Sequence, residues 1–146
     1  MTEILRAPMS GTLIPLEGVP DEVFSKKMLG DGLAIMPDEG IAEAPLKGKI
    51  GALLGHACGI LTEDGIEILI HIGIDTVEMK GEGFFSHVKK GEDVITGQKL
   101  IDFNIRAIEK AGKSLISPVI VIGKEIRIIA EGKVKRGDPL MEIKDP

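Results

Sequence analysis

The chain is poor in the materials that many binding sites are made from. It has no tryptophan, no tyrosine and only four phenylalanines in 146 residues. A platform of stacked aromatics, such as single-stranded nucleic acid or sugar rings need, cannot be assembled from so few. The one cysteine, Cys58, excludes an internal disulfide and any Cys-x-x-Cys metal or redox pair, and fits a reducing compartment. Basic residues are outnumbered, 18 against 23 acidic ones, for a net charge of −5, the wrong sign for a nucleic-acid binder. No apolar run approaches the ~20 residues of a membrane span. The first residues show no basic stretch followed by an apolar one, so no signal peptide is read and a cytoplasmic protein is expected. A P-loop, a His-Glu-x-x-His helix and a Gly-x-Ser-x-Gly elbow are also missing.

Glycine is the residue in excess. The 19 glycines and 8 prolines punctuate the chain at short intervals. Between them lie runs rich in Ile, Val and Leu, at 12–16, 33–36, 49–54, 66–71, 119–122 and 125–130. Short apolar runs bounded by turn residues predict an all-β, antiparallel sandwich or barrel. Two segments read as short helices. Residues 21–29 open after Pro20 with acidic residues and stop at Gly30; residues 105–111 place Ile105 and Ile108 on one face and end at Gly112. No linker or low-complexity tract interrupts the chain, which is read as one domain over residues 1–146.

Weak echoes run through it. Ala7-Pro8-Met9-Ser10-Gly11-Thr12-Leu13 resembles Ala44-Pro45-Leu46-Lys47-Gly48-Lys49-Ile50, and Val94 to Leu100 resembles Val134 to Leu140. Repeated pieces at two places suggest two pseudo-symmetric β-units; recurring glycine turns would give similar matches. No single period continues, which disfavours a solenoid.

Chemistry has to be sought at the histidines. Two of the three, His56 and His71, flank an apolar pair of arms joined by Glu63-Asp64-Gly65. Asp-Gly between apolar arms is a strong hairpin signal. Folding about Asp64 brings position 57 or 58 opposite 71, which puts both histidines at the same end of the hairpin. Histidines so placed can bind zinc, or one can act while the other assists. Each could equally be a satisfied, half-buried side chain.

The segment from Glu67-Ile68-Leu69-Ile70-His71 through Ile72-Gly73-Ile74-Asp75-Thr76-Val77, followed by Gly81-Glu82-Gly83-Phe84, resembles the active-site signature of the glucose-type IIA domain of the bacterial sugar phosphotransferase system. Val19-Pro20-Asp21-Glu22-Val23-Phe24, Gly30 to Ile35, His56-Ala57, Val88 to Gly91, Gly97 to Leu100 and Ser117 to Val121 extend the resemblance over most of residues 7–122. It implies an antiparallel β-sandwich that relays a phosphoryl group with no cofactor. The carrier HPr would load a histidine, which passes the group to a cysteine of a IIB domain, coupled to sugar uptake by a membrane IIC domain.

His71 matches the phosphorylated histidine and His56 its partner. Neutral imidazole is a nucleophile that can be loaded and unloaded near pH 7. His56, and backbone N–H groups near Gly73, would stabilise the phosphoryl oxygens. Asp21 and Asp75 match acidic residues that would meet a basic carrier. Phe24, Met28, Leu29 and Leu69 fall where the family has an apolar docking rim, although helical spacing puts 24 and 28 on one face as core. The family's Thr two residues before the first histidine is replaced by Leu54. The bond that orients His71 therefore has to come from elsewhere. His87 reads as a surface residue. Cys58 shares His56's face if that stretch is a strand, and reads as a small buried hydrophobe.

Rival readings remain. A zinc-dependent hydrolase of related all-β fold would use His56 and His71 with Asp75 or Glu67. A biotinyl- or lipoyl-type carrier would need Lys80 at the Met79-Lys80-Gly81 turn. A non-catalytic regulator would use only the docking rim.

Overall fold

The computed structural model describes residues 3–144. Its strands are β1 (Glu3–Arg6), β2 (Gly11–Pro15), β3 (Asp31–Pro37), β4 (Ile41–Glu43), β5 (Gly48–Leu53), β6 (Ala57–Leu61), β7 (Glu67–His71), β8 (Phe84–Ser86), β9 (Asp93–Val94), β10 (Lys99–Phe103), β11 (Ser117–Ile122), β12 (Ile126–Ile128), β13 (Lys133–Val134) and β14 (Pro139–Ile143). The helices are α1 (Glu22–Ser25) and α2 (Ile105–Lys110). The expected all-β, antiparallel architecture is present.

An eight-stranded sheet runs in the order β13-β2-β3-β11-β7-β6-β5-β9, flanked by the three-stranded sheets β1-β14-β12 and β4-β10-β8. Read from either end, the large sheet is built of the same kinds of strand, and the halves meet at the β11–β7 pair. The echoes in the sequence are this symmetry. Val134 pairs with Gly11 and Lys133 with Thr12 in one half; Val94 pairs with Gly48 and Asp93 with Lys49 in the other. Ala7 donates to Asp138 O and accepts from Gly137 N, while Ala44 donates to Gln98 O and accepts from Gly97 N. The two Ala-Pro segments also lace together, Arg6 N to Pro45 O and Glu43 N to Pro8 O.

The central strands are apolar on both faces, which is why they read as continuous Ile/Val/Leu runs rather than alternating ones. Along β11, Val119 and Val121 enter the main core with Ile68 and Ile70 of β7 and Leu33 and Ile35 of β3. Ile120 and Ala34 turn the other way, into a second cluster with Leu16, Val19, Phe24 and Ile74, against which Leu69 packs. His71 continues the Leu69 face of β7 and so emerges at the margin of this second cluster.

Helix 105–111 is found as α2, capped by Asn104 Oδ1 accepting from Ala107 N at 3.1 Å. Helix 21–29 is not. It is the single turn α1, capped by Asp21, and the chain leaves it at Lys27, whose φ of 57° is left-handed. Lys27 N bonds to Phe24 O and Met28 N to Val23 O, a helix-ending pattern that usually employs glycine. Glu17 and Asp31, 3.7 and 3.4 Å from the Lys27 ammonium, hold it there. The run at 125–130 is likewise shorter, a strand only at Ile126–Ile128.

Candidate functional site

The hairpin forms as its turn chemistry predicts. Thr62 Oγ1 donates to Asp64 at 2.6 Å and accepts from Ile66 N at 2.9 Å, with Gly65 at a φ of 87°. The register pairs Ala57 with His71 and Cys58 with Ile70. By strand alternation alone, His56 would then sit on the core face with Cys58, away from His71. It does not, because the strand ends at Ala57 and the chain bends at Gly55 and His56. The bend brings the His56 ring edge-on to His71, with centroids 4.8 Å apart. Cys58, by contrast, is in the main core, and burial pushes its thiol up to about 11. The shared face expected for His56 and Cys58 is therefore not found, and Cys58 is the small buried hydrophobe.

His71 is half-buried and oriented by its own loop. Its Nδ1 donates to Gly73 O at 2.7 Å. That is where the orienting bond comes from in the absence of a Thr at position 54. With Nδ1 carrying the proton, Nε2 keeps its lone pair. Burial holds His71 below the ordinary histidine range, opposed by the Gly73 carbonyl and by the charges of Asp21 and Asp75. Burial also lowers His56, and the neighbouring His71 adds to this. Both rings are therefore neutral at pH 7, the form that attacks an electrophile.

Gly73 has φ 72°, and a Cβ there would meet Thr76 Cγ2 at 2.6 Å and Ser114 O at 2.7 Å. Beyond it, Asp75 sits left-handed at φ 60° and starts a 3-10 turn over Thr76–Met79. Asp75 is exposed, and Asp21 is half-buried at the α1 cap. Phe24 is only 6% exposed, and its ring lies 5.1 Å from that of His71. It is the wall beneath the histidine rather than part of an exposed rim. Met28 and Leu29 are exposed beyond α1, and Leu69 is partly buried on the His71 strand.

Several residues near the histidines have a place at the site that the sequence does not assign them. Leu54 and Val77 are 58% and 59% exposed, one just before His56 and the other just after Asp75. The Phe84 ring lies 6.5 Å from His56. Thr76 and Ser117 are buried polar side chains bonded to the Gly73 loop. With Ile72, Gly73 and Ile74 N–H donating to His56 O, Ser117 Oγ and Ser114 O, the backbone N–H groups expected to serve phosphoryl oxygens there are already taken. Val77 and Phe84 lie inside the signature segment, where exposure could not be read. His87 is exposed, as expected, and bonds Asp102 at 2.8 Å.

The zinc-hydrolase ligand set is not brought together. Glu67 stands at the opposite end of β7 from His71, and among the described residues no group of three or more His, Cys, Asp or Glu could hold a metal ion. A cavity of about 700 Å³ lies elsewhere, at Ser10, Glu39, Glu43 and Arg136, and neither histidine lines it. No helix among the described residues is long and apolar enough to cross a membrane.

Residues 3–126 match the family model for the phosphoenolpyruvate-dependent sugar phosphotransferase system, EIIA 1. Among solved structures, glucose permease IIA from Mycoplasma capricolum superposes with a TM-score of 0.94 at 41% identity, covering 99% of this chain and 97% of that one. A doubled antiparallel β-fold in which a half-buried and a buried imidazole meet at one end of a hairpin, so matched, is a phosphoryl-relay protein of sugar uptake. The chain belongs to the EIIA 1 family of the phosphotransferase system.

Proposed function

We propose that Nε2 of His71 is the atom that carries the phosphoryl group. The observation that supports this most is the bond from His71 Nδ1 to Gly73 O, which commits one nitrogen and leaves the other as a nucleophile. The donor is a phosphohistidine on HPr. Nε2 attacks its phosphorus, a new N–P bond forms, the donor's N–P bond breaks, and the electron pair returns to the donor nitrogen. The product imidazole keeps its Nδ1 proton and so carries positive charge, which the Gly73 carbonyl faces. A cysteine thiolate of a IIB domain then takes the group, forming S–P as N–P breaks, and a membrane IIC partner uses it for sugar uptake.

His56, with its ring 4.8 Å away, donates an N–H to the phosphoryl oxygens and so stabilises transfer without accepting. Positioning and charge stabilisation are most of what phosphoryl transfer asks of a protein. Leu54, Val77, Met28 and Leu29 are exposed and Leu69 partly so; as a docking rim they would tolerate either partner, with Asp21 and Asp75 meeting a basic carrier. The reading needs no cofactor and no zinc at the histidines, treats residues 1–146 as one domain, and places it in the cytoplasm with its donors.

The test is incubation with phosphorylated HPr and detection of acid-labile phosphate. His71→Ala should remain folded and take up none; retained label overturns the assignment. His56→Gln should accept phosphate but pass it on poorly. If it behaves like His71→Ala, the division of roles is wrong.

A further inference from the structure

We propose that Ser117 is a positioning residue for the His71 ring, acting through the Ile72–Gly73 peptide. Ser117 belongs to β11, on the other half of the pseudo-symmetric sheet, and is fully buried. Its Oγ donates to Leu115 O at 2.8 Å and accepts from Gly73 N at 3.0 Å. With its proton committed to Leu115, the hydroxyl can only present a lone pair to Gly73.

The Ile72–Gly73 peptide is thereby held at both ends. Ser117 holds its N–H, and Thr76 Oγ1 donates to its carbonyl at 2.5 Å. The next peptide is held as well, Ile74 N donating to Ser114 O at 3.0 Å and Gly73 O accepting from His71 Nδ1. Between the two peptides stands glycine, the residue with the widest backbone freedom. Glycine itself sets little cost on leaving φ 72°, so the loop keeps this conformation through these bonds; with the Gly73 N–H released one of them is lost, and the carbonyl that fixes the His71 tautomer is freer to turn. A side chain that locks this peptide therefore decides which imidazole nitrogen is bare. Ser117→Ala would leave a buried N–H without a partner, which is worth about a factor of ten in the population of the pinned loop.

Only the rate consequence rests on reading His71 as the phosphoryl acceptor; the tautomer consequence does not. The experiment measures ring 15N shifts of His71 above its titration, together with the rate of phosphate uptake from phosphorylated HPr. In the parent protein Nδ1 should be protonated. In Ser117→Ala the balance should move about tenfold toward Nε2–H, with uptake slowed to match. Ser117→Thr, which keeps the hydroxyl, should restore both. Val134→Ala, in the β13 core far from the loop, should lower stability and leave the tautomer alone. If Ser117→Ala does not fold, the near-isosteric Ser117→Cys, a poor acceptor, decides in its place. An unmoved tautomer overturns the proposal. A moved tautomer with unchanged uptake supports the positioning role and overturns the reading of His71 as acceptor.

Discussion

Phe24 tests how the site is walled. Its ring is 6% exposed, belongs to the smaller cluster with Leu16, Val19, Ala34, Ile74 and Ile120, and lies 5.1 Å from His71. Truncating a buried Phe to Ala costs about 3–5 kcal/mol, the spread reflecting how well the site can collapse. Here one side borders the half-buried histidine, where water can enter, so about 3 kcal/mol is expected. For a chain of this length each kcal/mol lowers the melting temperature by about 2–4 °C, so Phe24→Ala should melt about 6–12 °C lower. The histidine should report the change too. Burial is the main cause of the lowered His71 pKa, so removing the ring should move it up toward the ordinary value. Thermal unfolding by circular dichroism and NMR titration of the imidazole measure both effects. An unchanged melting temperature combined with weakened binding of HPr would make Phe24 an exposed docking residue and refute this placement.

Gly73→Ala should cost about 2–4 kcal/mol in denaturant unfolding, combining the left-handed φ with contacts under 3 Å to Thr76 and Ser114 O, and should abolish phosphate uptake; parent-like stability would mean that the loop yields freely. Asp75→Lys should slow phosphorylation by HPr through the encounter rate, and added salt should slow the parent more than the variant. Rates flat across salt and unchanged by the variant would remove the acidic edge from the model. Acid should destabilise the fold from the histidines outward. Both are lowered from 6.5 in the folded state, so as pH falls through 6.5 the unfolded chain binds protons that the folded chain refuses, and stability present above 6.5 is progressively lost. The double variant His56→Gln, His71→Gln should flatten that slope, measured by urea midpoints between pH 7.5 and about 5; an identical slope would locate the acid sensitivity elsewhere.

What could be read from the chain was what its chemistry fixes locally. Asp64-Gly65 sets a turn by itself, and the register Ala57 to His71 follows from it. Gly112, left-handed at φ 74°, ends α2 in the same way, whereas its Asn104 cap is not read from the sequence. α1 is shorter than its sequence predicts because Lys27, not Gly30, ends it, and Glu17 and Asp31, both outside the helix, pair with its ammonium. The register, which pairs Ala57 with His71, does not by itself bring His56 to His71. Alternation from the observed pairing sends His56 to the core, and only the bend at Gly55 and His56, which no local pattern announced, returns it to His71. The motif resemblance placed the pair where strand geometry alone would have missed it.

The doubled fold explains why the support of the site was invisible in the sequence. Its two halves meet at β7 and β11, so each of these strands has the other half as its neighbour. Histidines occur in only one of the paired positions: β7 ends in His71, and β11, its counterpart, has none. What β11 supplies instead is Ser117, bonded to Gly73 from 44 residues along the chain. A hairpin motif shows what a segment does to its own neighbours, whereas this contact exists only once two halves have docked. The doubled fold gives the protein an apolar central pair of strands, with β11 buried on both faces and β7 on one. A group that must be loaded and unloaded repeatedly gains from sitting at the end of such a pair, because its loop is anchored to both halves rather than to one hairpin. On the proposed reading, the transfer group belongs to one half of the molecule and is oriented by the other.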